Sequence, residues 1–193
     1  MHKKVLIING HPDEKSFNQG ICKAYQEGAI KSNAEVQTIS IRDLDFDPNL
    51  QYGYRKKVEL EPDLLDAIEK IKWSEHMVWV HPLWWYGYPA LMKGFIDRVF
   101  LPGVTFAYKE GASMPEKLLK GKTARIICTA DTPNWYYRYF LKSPAINQLK
   151  KGTLEFCGVG PVKTTYISPV RDSKESFRNG WLEKITRLGE LVK

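Results

Sequence analysis

Apolar positions along the chain follow two alternating rhythms. Val5-Leu6-Ile7-Ile8-Asn9 is a short, largely β-branched run stopped by Gly10 and Pro12, the pattern of a strand buried on both faces. After Ser16 the spacing changes, and Ile21, Tyr25 and Ala29 recur at helical intervals until Ser32 and Asn33. Val36 to Ile41 alternates as a second strand. A Pro- and Tyr-containing loop follows from Asp43 to Lys57, long enough to suggest function or partner contact. Pro62 opens a helix through Leu64, Leu65, Ile68 and Ile71, and Met77 to Val80 is a third strand ending at His81-Pro82. Pro89 is placed for the first turn of a helix whose apolar face is Leu91, Phe95, Ile96 and Val99. Arg125 to Cys128 and Val162 to Ile167 are the fourth and fifth strands, and Ser173 to Val192 is a terminal helix. Strands alternating with helices predict an α/β fold with a doubly wound parallel sheet, in which ligands bind outside the carboxyl ends of the strands.

Length and composition narrow this picture. With 193 residues, 43% hydrophobic and 12% aromatic, the chain predicts one domain over residues 1–193 with one substantial core. No stretch approaches the roughly 20 apolar residues of a membrane span, and the first residues run into a strand without a cleavage pattern, so a soluble, cytoplasmic protein is expected. Cys22, Cys128 and Cys157 are too scattered for a C-x-x-C arrangement and read as buried thiols in a reducing compartment. The net charge of +7 disfavours an acidic electron carrier that docks on basic partners. Its basic residues concentrate at Lys117 to Arg125 and Lys142 to Lys151, where they alternate with apolar ones. That is a solvated face rather than a nucleic-acid surface, and it also attracts anionic cofactors.

Three loops at carboxyl ends of strands have the composition of a site. The first, Gly10 to Asn18, has neither G-x-G-x-x-G nor a P-loop, yet it offers a helix N-terminus with His11, Lys15, Ser16 and Asn18 as donors, which suits a phosphate. Ser16 with Gln19 equally fits a capping box, and the spacing alone leaves both readings open. The second, His81 to Pro89, packs Trp84, Trp85, Tyr86 and Tyr88 into five residues, too many aromatics to bury at once. They suit a flat conjugated ligand or a dimer partner, with Phe106 and Tyr108 as candidates for the same wall. The third, Thr129 to Tyr139, adds hydroxyls, the Asp131 carboxylate and more aromatic surface. His2, His11, His76 and His81 and the cysteines lack metal-ligand spacing, and no G-x-S-x-G elbow exists. His76 reads as a structural residue at a strand entry, and His81 as either structural or cleft-lining.

The runs H-P-D-E-K-S-F-N (11–18), P-L-W-W-Y-G-Y-P-A-L-M-K-G-F-I-D-R-V-F (82–100) and E-F-C-G (155–158) together resemble the NAD(P)H:quinone oxidoreductase family, the DT-diaphorase group of flavodoxin-like proteins. The resemblance implies a flavodoxin-like five-stranded sheet of order 2-1-3-4-5 and a homodimer. It implies a flavin, reduced by hydride from NAD(P)H and reoxidised by two-electron transfer to a quinone or similar aromatic acceptor. Carried over by position, His11, Lys15, Ser16, Phe17 and Asn18 hold the phosphate and ribityl region. Pro82, Leu83, Trp84, Trp85 and Tyr86 line the isoalloxazine, Thr129, Ala130 and Asp131 form the third flavin loop, and Tyr137 is the active-site tyrosine. Lys174 and Arg178, ahead of Gly180-Trp181, favour FAD over FMN on the same analogy. The family's glycine-rich third loop is replaced here by Ala130-Asp131-Thr132-Pro133. The histidine that follows the tyrosine in the animal enzymes has no counterpart, because no histidine occurs after His81. Two other functions remain open: a nitro- or azo-reductase, and a flavin-binding, redox-sensing regulatory subunit of a transporter.

Overall fold

A computed structural model describes residues 2–192 except 54, 57 and 112. Its centre is a parallel sheet of β1 (Lys4–Asn9), β2 (Glu35–Ser40), β3 (His76–Pro82), β4 (Thr123–Thr129) and β5 (Val162–Ile167), in the order β2-β1-β3-β4-β5. Alternate residues of the inner strands face opposite sides, and because both sides are covered, the runs read as continuously apolar. Val5, Ile7, Val78, Val80 and Ile127 belong to one core, beneath α1 (Phe17–Lys31) and a terminal helix (Glu175–Glu190). Leu6, Ile8, Met77, Trp79 and Ile126 belong to the other, beneath α2 (Pro62–Trp73) and α3 (Ala90–Val99). Strand order reverses between β1 and β3, which opens a crevice at their carboxyl ends.

Several boundaries differ from those read in the sequence. Pro89 stands just outside α3 as its N-cap residue, with an extended ψ of 145°, and Met92 rather than Leu91 completes the buried face with Phe95, Ile96 and Val99. The terminal helix is shorter at both ends. A helical segment absent from the sequence pattern, α4 (Pro144–Asn147), continues into wide π-type turns over Gln148–Glu155. Its buried residues Ala145, Leu149 and Leu154 are four and five positions apart, a drift that a 3.6-residue template does not match. Counting these, the terminal helix is α5. A two-residue ribbon also pairs Phe106–Ala107 with Glu116–Lys117.

Helices α1 and α5 lie side by side. A methyl group at Gly28 would overlap the Thr186 carbonyl, and one at Gly189 would overlap that of Tyr25, so both glycines are there for close approach of two backbones. On the opposite face the loop that follows β2 is tied down by Arg98, 2% exposed, whose guanidinium pairs with Glu61 at 2.7 Å and donates to the Asp47 carbonyl. Tyr54 and Lys57 of this loop lie outside the described residues. The three cysteines are free and buried, and burial pushes the Cys22 thiol up to about 12. Among the described residues, no helix is long and apolar enough to cross a membrane.

Candidate functional site

The crevice is a cleft of about 660 Å3 lined by all three loops singled out in the sequence. In the first, the Asn9 side chain accepts the His11 amide at 3.0 Å, His11 Nδ1 accepts the Asp13 amide at 3.0 Å, and Asp13 Oδ1 accepts the Lys15 amide at 2.9 Å. This chain of local bonds delivers Ser16 to the start of α1, where its hydroxyl accepts from the Gln19 amide at 3.3 Å. The capping box stays half-formed. Gln19 turns its carboxamide away, accepting from Asn9 Nδ2 at 2.7 Å and from Arg42 at 3.4 Å.

Two side chains here are set up as donors. Because His11 Nδ1 accepts, its proton sits on Nε2, and burial holds the ring below its usual pKa against the opposing pull of Asp13. Asn18 is buried, and its Oδ1 accepts from the Thr129 hydroxyl at 2.8 Å. That bond fixes the amide, leaving Asn18 Nδ2 without a hydrogen-bond partner although the residue lines the cleft. A buried donor of this kind costs about 1–3 kcal/mol if nothing meets it, which marks a position for an acceptor supplied by a ligand.

The second loop makes a hairpin of minimal length. Trp84 and Gly87 exchange both backbone hydrogen bonds, at 2.8 and 2.9 Å, leaving Trp85 and Tyr86 as the two turn residues with φ of +49° and +59°. Two-residue turns with both φ values positive normally carry Asn-Gly. Aromatic residues there are strained, and the Trp85 side chain is 100% exposed. Leu83 is anchored by its amide to the Thr129 carbonyl at 2.8 Å, and Trp84 meets His11 edge-on at 5.7 Å.

In the third loop Asp131 Oδ1 accepts the amides of Arg171 at 2.7 Å and Val170 at 3.3 Å, while Oδ2 lies 3.3 Å from the Arg171 guanidinium. The cleft wall therefore includes Val170 and Arg171, from the loop after β5. The sequence reading missed both, and also passed over Asp13. The rule that drew attention to the other strand ends applied to β5 as well, where Ser168-Pro169-Val170-Arg171 breaks the strand.

Not every expected residue lines the cleft. His11, Ser16, Phe17, Asn18, Pro82, Leu83, Trp84, Trp85, Thr129, Ala130 and Asp131 do, whereas Lys15 points into solvent. Tyr86 lies off the lining and faces Tyr137, ring centroids 6.4 Å apart. Tyr137 also lies off the lining. It is buried between Tyr86 and Tyr166, whose ring is 4.9 Å away, and its hydroxyl accepts from the Ile146 amide at 3.4 Å, so it backs the aromatic loop instead of facing the cleft. Phe106 and Tyr108 line a separate cavity with Tyr88 and Phe156. Arg178 is engaged by the carbonyl and hydroxyl of Ser173, and neither it nor Lys174 reaches the cleft lining. His81 is buried under the cleft with Nδ1 donating to the Pro82 carbonyl at 2.9 Å, a structural placement. His76 bridges Tyr25 at 3.1 Å and Thr123 at 2.7 Å at the amino end of β3, away from the cleft.

A family model described as flavodoxin-like fold matches residues 3–188. The chain belongs to this flavodoxin-like family. It is 30% identical over 186 residues to the mouse (Mus musculus) ribosyldihydronicotinamide dehydrogenase [quinone], an alignment covering 81% of this chain and 77% of that one. Among solved structures, a Streptococcus mutans UA159 protein superimposes with a TM-score of 0.85 at 31% identity, covering 97% and 99% of the two chains. An NAD(P)H:quinone oxidoreductase from Methanothermobacter marburgensis, 21% identical, shares the fold with a TM-score of 0.84 over the full length of both chains. In this flavodoxin-like chain the residues present fit a flavin. The orphaned Asn18 Nδ2 sits at the N-terminus of α1, where backbone amides favour an anion, and the indoles of Trp84 and Trp85 offer flat apolar surface beside it.

Proposed function

We propose that this flavodoxin-like chain is a flavin-dependent NAD(P)H oxidoreductase that passes two electrons to a quinone-like aromatic acceptor. The observation that carries the reading is the buried, unpartnered Nδ2 of Asn18 in a cleft walled by Trp84 and Trp85. A bound flavin would supply the chemistry, accepting hydride from the nicotinamide and returning it to the acceptor. The chain's own residues bind and orient. The α1 amides near Ser16, Phe17 and Asn18 hold a phosphate, with the Nε2 proton of His11 as a further donor. Pro82 to Trp85 and Thr129 to Asp131 would hold the ring, and Tyr86 is braced by Tyr137. No histidine follows His81 in the sequence, and the Tyr137 hydroxyl meets the Ile146 amide, so the proton is left to water or another acid of the cleft.

The finer assignments belong to the same proposal. FAD is preferred over FMN on the family analogy alone, which singles out Lys174 and Arg178 at the start of α5. One domain over residues 1–193 carries the activity in the cytoplasm, in keeping with its three free thiols. A homodimer accounts for exposed Tyr108, Trp135, Tyr139 and Phe140, more aromatic surface than a lone subunit usually leaves to water.

The test is an absorbance spectrum of the purified protein, chromatography of the released cofactor, and addition of NADPH followed by menadione. Flavin bands that bleach with NADPH and recover with quinone are the expected result, and the released species decides FAD against FMN. Bands that recover only with azo or nitro compounds would move the acceptor class. A protein that takes up flavin but never bleaches would favour a regulatory subunit, and one that takes up no flavin overturns the proposal.

A further inference from the structure

The cleft is poor in positive charge for a site that meets phosphates. Of its described lining residues, Asp13 and Asp131 are acids and His11 is held below its usual pKa by burial, so Arg171 is the one permanent cation. Arg42 stands behind the first loop but is committed to Asp43 at 3.2 Å and to Gln19. Arg171 differs from both. Its side chain is 78% exposed and its nearest approach to Asp131 is 3.3 Å, which leaves most of its donor fork facing solvent.

Position supports a role for it. Because α1 and α5 pack along one face with Gly28 against Thr186, each eleven residues beyond the first residue of its helix, the two helix N-termini come to the same edge of the sheet. The loop entering α5 thus runs beside the start of α1, where the buried Asn18 Nδ2 waits for an acceptor. Asp131 supplies the mounting. Its Oδ1 is fixed by the Val170 and Arg171 amides, and Ala130 adds two backbone bonds, from its amide to the Ile167 carbonyl at 2.9 Å and to its carbonyl from the Val170 amide at 3.1 Å. The carboxylate therefore stays in place when the guanidinium turns toward a stronger partner.

We infer that Arg171 is the residue by which the cleft selects ligands carrying a phosphate ester, and that Asp131 is a positioning residue that holds its loop and charge at the rim. The inference rests on the flavin reading above. A phosphate meets Arg171 through charge-assisted, two-pronged hydrogen bonds, which a neutral ribityl tail lacks. The phosphate has two possible sources, the flavin itself or the 2′-phosphate of NADPH, and the test separates them.

Full-length apoprotein and its R171A, R171K and D131N variants are titrated calorimetrically with riboflavin, FMN and FAD at low and moderate salt, and KM is measured for NADH and NADPH. R171A is expected to weaken FMN and FAD by about ten- to a hundredfold while riboflavin stays within about twofold, and to flatten the salt dependence of FMN binding. R171K recovers part of the loss. D131N gives a smaller loss that vanishes in the R171A background, since it acts through the same guanidinium. If instead flavin affinities hold and only the KM for NADPH rises, the phosphate belongs to the reductant. Loss of riboflavin binding in step with FMN, or no change in any arm, overturns the inference while leaving the flavin reading intact. A wild-type chain that binds no flavin overturns both.

Discussion

His76 and His81 stand at opposite ends of β3, each enclosed before its ring can be solvated. Burial, with Lys3, Arg125 and Lys163 nearby, lowers His76 to about 3, and burial lowers His81 to about 4 despite its bond to the Pro82 carbonyl. Both folded values lie below the unfolded value of about 6.5. Above that pH both states are neutral and the histidines add no pH dependence. As pH falls below it, the unfolded chain takes up protons that the folded chain refuses, and stability is lost until the folded values are reached. The slope approaches about 1.4 kcal/mol per pH unit for each histidine. Urea midpoints should therefore fall between pH 6.5 and 5, where most carboxylates remain ionised, and the fall should be shallower in a His76→Gln variant. A flat profile would mean that the rings take up protons in the fold. At this scale the sequence was readable where chemistry and strand ends coincide: His11, Ser16, Asn18 and Asp131 all reach the cleft. It does not foretell that Tyr137 lies off the lining. Trp135-Tyr136-Tyr137-Arg138-Tyr139-Phe140 presents five aromatics in a wide π-type turn, and the composition alone does not say which of them turns inward.

The Trp84–Gly87 hairpin gives the clearest prediction at the level of an element. Trp85 occupies a left-handed conformation while making no use of burial, so the fold holds a strained residue whose side chain contributes nothing to the core. Trp85→Asn should raise stability by about 1 kcal/mol, read as a higher melting temperature, while weakening flavin retention. A variant that lost stability would place the indole in the folding energetics instead. The sheet and four of the helices were visible in the sequence because their apolar spacing follows the strand and helix periods. The α4 segment was not, since its π-type turns carry Leu149 and Leu154 off the 3.6-residue repeat. Nor was the true start of α3, because a proline fits equally well at the cap and in the first turn.

For the whole molecule, the doubly wound sheet and its crevice followed from the β-α alternation and the strand order from the family resemblance, but what covers the surface followed from neither, because one chain's pattern encodes its own core far better than its partners. The proposed homodimer predicts sedimentation at twice the 22.3 kDa of the chain, with Tyr139→Asp or Phe140→Asp shifting the species toward one subunit; a wild-type monomer at micromolar concentration would remove the dimer from the proposal. The fully exposed Trp85 has a consequence of another kind. Trp79 is sealed in the apolar core and should emit toward the blue, whereas Trp84, Trp85 and Trp135, in contact with water, should emit toward the red. Two of those three border the cleft. The protein thus carries its own two-colour optical gauge, in which a guest settling on the indoles dims the red edge of the emission and leaves the blue edge as an internal standard.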